Sequence, residues 1–161
     1  KHDWCIIFML PLTYILTLAV AYFGIVGGLI LGKIAEEELK EGRKYFLLLQ
    51  NILVTLALTF MLTFNKLNII LSSFIGIVVF LCLIYFRKRY EKYVPKITYV
   101  LFGFIFYFSS KMQELFIIES IVIFLYGLPT GSLDFKKKIV KILLGYSPFV
   151  MIGLVLYLVG L

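Results

Sequence analysis

Apolar residues along this chain are gathered into blocks. They fill six runs, at 6–32, 45–64, 67–86, 97–110, 115–133 and 139–161, with short polar links between them. No stretch alternates residue by residue as a half-buried strand does. A hydrocarbon layer about 30 Å thick takes about 20 helical residues at 1.5 Å each, so the second, third, fifth and sixth runs each match one crossing. The first is long enough to cross with tilt. The fourth reaches only about 21 Å. It extends to 93–112 when Lys96 and Lys111 stretch outward and Pro95 takes the first turn, where a missing N–H costs nothing. The expected fold is all-α: one transmembrane domain, a compact bundle of six helices spanning about 6–32, 45–64, 67–86, 93–112, 113–133 and 139–161, with no soluble domain.

Composition agrees. Of 161 residues, 62% are hydrophobic and 16% charged, and the mean hydropathy is +1.03. An ordinary soluble domain is only about 45–50% apolar, so that class is excluded. The longest link, 33–44, is too short for a nucleotide-binding, DNA-binding or catalytic domain. Any chemistry therefore belongs to the helices or their ends. The first run exceeds a typical signal-peptide core and lacks a clear small-residue cleavage site, so it is expected to be a retained span.

The net charge of +7 raises the question of nucleic acid, and its distribution answers it. Lys33, Lys40, Arg43 and Lys44 follow the first run. Arg87, Lys88, Arg89, Lys92 and Lys96 follow the third, and Lys136, Lys137, Lys138 and Lys141 follow the fifth. Only Lys1, Lys66 and Lys111 lie elsewhere. Basic links that alternate with poor ones are topology determinants: they are expected in the cytoplasm, with both termini outside, in contact with a lipid bilayer and not with nucleic acid. A rival with the same sidedness folds the fourth and fifth runs into a re-entrant hairpin with 109–114 at its tip. Burying Lys111 and Glu114 there costs roughly 2.5 to 3.5 kcal/mol each, which favours two full spans.

Glu119 is the carboxylate lying well inside an apolar run, flanked by Ile117, Ile118, Ser120 and Ile121. Such a group is a candidate ion- or proton-binding site, because its desolvation needs a partner; Ser72, Ser73, Thr59 and Tyr107 are the expected donors. Gln50 and Asn51 point about 100° apart on one helix, so at least one faces the interior as a polar interhelical contact, a role also expected of Ser72 and Ser73. Pro148, preceded by Ser147, is expected to kink the sixth span and free the Leu144 carbonyl. Pro129 and Gly131 are expected to break the fifth. Gly24, Gly28 and Gly32 recur every four residues, a smooth stripe for close helix approach. The expected occupant is another helix of the chain, with self-association or a larger membrane complex the alternative.

Metal and cofactor chemistry find no support: Cys5 and Cys82 lie at opposite depths, His2 is the single histidine, and no CxxC pair occurs. In the link 33–44, Glu36 and Lys40 stand at i, i+4, so a short surface helix ended by Gly42 is expected. There, Glu37 and Glu38 ahead of Arg43 resemble the catalytic signature of CAAX-type intramembrane proteases, with one residue too many before the arginine and no histidine partners. The function expected is a component of a membrane transporter or channel for a small solute or ion, using Glu119. A non-catalytic assembly subunit is the alternative, and an intramembrane enzyme the third.

Overall fold

A computed structural model describes the backbone of residues 3–160 and the side chains of 11–39 and 41–160. His2 and the Cys5 side chain lie outside the described residues. Among the described residues seven helices follow one another: α1 (Asp3–Ile34), α2 (Glu36–Phe64), α3 (Ile69–Tyr90), α4 (Val94–Ser109), α5 (Gln113–Asp134), α6 (Ile139–Tyr146) and α7 (Pro148–Val159). No strand occurs among the described residues.

Among the described residues five helical segments are long and apolar enough to cross a membrane, with α6 and α7 counting as one, Ile139–Val159. The fourth run is the exception to the six-span expectation, since α4 has 16 residues, about 24 Å of rise. It starts where expected, with Pro95 in its first turn.

The helix ends follow from local chemistry. The 33–44 link is not a separate surface helix: α1 and α2 meet at Ala35, whose N–H donates to the Leu31 carbonyl at 2.9 Å while its own carbonyl accepts from Leu39 at 3.1 Å. Glu36, Glu37 and Glu38 fill the first turn of α2, where negative charge complements the helix dipole, and Gly42 lies inside α2 and ends nothing. At the far end of α2, Asn65 donates its side-chain amide to the Met61 carbonyl at 2.7 Å. Lys66 takes a left-handed φ of 66°, and Asn68 caps α3 by accepting from the Ile70 N–H at 2.9 Å.

Arg43, Lys92, Lys96, Lys137 and Lys141, from all three basic links, come together at one end of the bundle, here termed the basic end. At the core, α5 lies parallel to α1 and antiparallel to α2 and α4. The first relation rests on glycine: a Cβ on Gly24, Gly28 or Gly32 would run into the backbone of Phe124, Leu128 or Ser132 in step. The stripe on α1 is thus filled within the chain by α5, which supplies its own small residues, Gly127 and Gly131. Ser132 Oγ closes the seam at 2.9 Å from the Gly28 carbonyl. Such close approach gains dispersion contacts, the main attraction left when lipid is as apolar as the side chains. The aromatic core sits on the other side of α5, where Tyr99, Phe102 and Phe106 of α4 pack on Tyr126, Phe116 and Phe149. Because α5 continues unbroken to Asp134, Pro129 and Gly131 are not a helix break, contrary to expectation: Pro129 is housed within the helix and Gly131 belongs to the α1 seam.

The sixth run divides at Ser147. Pro148 has no N–H to donate back along the helix, and Ser147 Oγ donates to the Leu144 carbonyl so released, at 2.9 Å.

Candidate functional site

Two places among the described residues bury a charged side chain. The first is Glu119, 0% exposed. Neither carboxyl oxygen has a hydrogen-bond partner among the described residues. None of the expected donors reaches it. Thr59 donates to the Thr55 carbonyl, Ser72 is buried with its hydroxyl unbonded, and Ser73 is exposed on the outside of α3, which corrects its expected interhelical role.

The second place lies nearer the basic end and centres on Arg87, grouped by sequence with the surface cations of its link. The structure turns it inward: it is 7% exposed, and its Nη1 donates to Gln50 Oε1. Gln50 Nε2 donates in turn to Thr130 Oγ1 at 2.8 Å, and Thr130 Oγ1 to the Tyr126 carbonyl at 2.8 Å. One amide thus bridges a cation on α3 to a hydroxyl on α5. The Tyr126 hydroxyl adjoins Arg87, Thr98 and Thr130 without closing a hydrogen bond, and Arg87 Nε and Nη2, Tyr99 Oη and Asn51 Oδ1 are also unbonded. Sequence reasoning found Gln50 and Asn51 but missed Arg87. One signal was available: from Arg87, a side chain stretching back along the helix reaches the level of the apolar run.

Both places lie on one face of α5. Glu119, Tyr126, Thr130 and Asp134 follow at intervals of seven, four and four residues, close to whole helical turns. Thr130 stands about 16 Å along the axis from Glu119.

At Thr130 the face reaches an open cleft of about 580 Å³. Gln50 and Thr130 form its inner wall, and Arg43, Glu91, Lys92, Lys96, Asp134, Lys137, Lys141 and Tyr146 are among the residues around it. Asp134 is held on both oxygens, by Lys137 Nζ at 2.6 Å and by the Tyr146 hydroxyl at 2.9 Å. Arg43 pairs with Glu91 at 2.6 Å. Glu119 does not line this cleft.

Elsewhere, Pro148 and Ser147 form the α6–α7 joint and Cys82 is exposed with a free thiol. No three His, Cys, Asp or Glu side chains among the described residues converge to hold a metal. An all-helical, strongly apolar bundle with a cleft at its basic end and a carboxyl buried deeper defines a class by its architecture. No protein family, curated protein or solved structure matches this chain.

Proposed function

We propose that the chain is a component of a membrane transporter or channel for a small solute or ion, with Glu119 as its intramembrane binding group. In this reading the chain crosses the bilayer six times, α4 and the joined α6–α7 included, with the basic links in the cytoplasm and both termini outside. The cleft is then the cytoplasmic vestibule, and the polar face of α5 is the route from it towards Glu119. The supporting observation is the state of Glu119: wholly buried on the most enclosed of the five membrane-length helices, with both oxygens unbonded. A carboxyl in that position burdens the fold, because a buried polar group without a partner costs about 1–3 kcal/mol. An ionisable group placed inside the membrane at a cost to stability is expected to serve the function.

The test is solute-driven proton or cation flux in proteoliposomes, wild type against Glu119→Gln. The amide keeps the shape and removes the ionisable group, so flux is expected to fall to background while the purified variant melts within about 1 kcal/mol of wild type. Unchanged flux in the variant overturns the role of Glu119. A second reading, a non-catalytic assembly subunit, draws on α3, whose outer face from Ile69 to Tyr85 is apolar and exposed. That reading predicts reproducible co-purification of a larger complex and no flux from the isolated chain.

A further inference from the structure

We infer that the cleft at the basic end is a binding site for a phosphate-bearing anion. The charge inventory carries this. Of the cations around the cleft, Arg43 is neutralised by Glu91 and Lys137 by Asp134. Lys92, Lys96 and Lys141 form no ion pair among the described residues, yet all three line the same 580 Å³ space. They come from three separate elements: the α3–α4 turn, the first turn of α4, and α6. Unpaired ammonium groups around one concavity repel each other, and an anion between them turns that repulsion into attraction.

The surroundings reinforce the sign. Behind the inner wall of Gln50 and Thr130 stands Arg87, buried and joined to Gln50, with Nε and Nη2 unbonded. A cation on the low-dielectric side of a cleft adds a field that solvent screens poorly. Lys96 also sits in the first turn of α4, whose N-terminal dipole end opens at the same place. Lysines act as separate point charges that meet phosphate oxygens from several directions, whereas a lone carboxylate is better matched by a planar arginine fork. Three free lysines therefore favour phosphate. The same chemistry is offered by the headgroup of an anionic phospholipid and by a water-soluble phosphate compound. The inference stands on the cleft alone and survives a failure of the transport reading.

The experiment uses the full chain in uncharged detergent. Inorganic pyrophosphate is titrated calorimetrically, and in parallel the protein is exposed to phosphatidylcholine vesicles containing phosphatidic acid and the lipid it retains is counted by native mass spectrometry. Lys92→Gln/Lys96→Gln/Lys141→Gln is compared with Lys33→Gln/Lys88→Gln/Lys138→Gln, which removes the same charge from the same end but outside the cleft. Wild type and the control triple are expected to bind at least one probe saturably, and the cleft triple at least tenfold more weakly. Saturable pyrophosphate binding identifies a soluble ligand; phosphatidic acid retained without pyrophosphate binding identifies a headgroup. Lys141→Glu, which places a carboxylate in the cleft, repeats the comparison should the triple fail to fold. No saturable binding of either probe, or equal loss in both triples, overturns the proposal.

Discussion

Helices α3 and α5 have the same length, 22 residues, and both are apolar, but they are held in opposite ways. In α5, 61% of the apolar stretch is buried inside the bundle, against 11% in α3. The buried face of α5 carries glycines, a serine and the polar line from Glu119 to Asp134, whereas α3 shows Ile, Leu, Phe and Tyr to its surroundings. Hydrophobicity therefore does not separate inside from outside in this chain: apolar side chains fill the core and cover the exposed faces alike, while the glycines of the seam and the polar line of α5 are gathered inside. That is physical: apolar side chains gain little by leaving lipid, so what distinguishes a buried face is small residues that permit close backbone approach and polar groups that bond across helices. The two helices also fail differently. Along α5 the obstacle to a side chain is backbone, while on α3 the Gly76 position meets the Thr59 hydroxyl and Thr55 methyl.

The sharpest way to break the contrast is at the glycine seam. A Cβ on Gly131 would overlap the Ile25 carbonyl and the Leu29 amide, neither of which has a rotamer to change. Gly131→Val therefore has to part α1 from α5 along their length. We expect a loss of about 3 kcal/mol or more, read as a collapsed melting transition and an aggregated profile on size exclusion in detergent. A wild-type profile would show that the seam is looser than this packing requires.

Next in size is the polar tie that Arg87 makes from α3 to the core. Gln50 is the acceptor for the buried Arg87 and the donor to Thr130. Gln50→Leu strands a cation with no acceptor, and breaking a hydrogen bond to a charged group costs about 1.5–3 kcal/mol. Replacing both residues, Gln50→Leu with Arg87→Leu, removes the stranded charge as well. The double variant is expected to melt above Gln50→Leu alone, and additive losses would mean that the two side chains act independently.

Much of this architecture is written in the order of residues, and what is not follows a pattern. Run lengths locate α3, α5 and the end of α2 to within four residues, although α2 begins nine residues ahead of its run; Pro95 marks the start of α4, and Pro148 with Ser147 marks the joint of α6 and α7. Gly24, Gly28 and Gly32 reveal a face that wants a close neighbour. Which neighbour is a tertiary matter: Gly127 and Gly131 carry the same four-residue spacing, but beside Pro129 they resemble a break, and only the register against α1 distinguishes a seam from a hinge. Ser72 and Ser73 differ by one position, a turn of about 100° that puts one inside and the other outside. Arg87 defeats sequence reasoning for a different reason, since a cation at the end of a span satisfies the positive-inside rule whether it faces water or the bundle. The cleft is equally illegible, being assembled from four helices and two links whose lysines look in sequence like ordinary topology signals.

The smallest expected effect tests the comparison from its quiet side. Ile77 is 59% exposed on the outer face of α3, one position beyond the buried Gly76. If that face meets lipid, truncating it removes contacts that lipid tails replace, and Ile77→Ala should change stability by no more than about 0.5 kcal/mol in a bilayer or micelle. Melting in detergent and in nanodiscs measures this directly. A loss as large as a core truncation, about 2–5 kcal/mol, would instead mean that the face is covered by protein in the working assembly. The difference between the two helices would then lie only in which chain does the burying, and the assembly-subunit reading would gain the buried surface it needs.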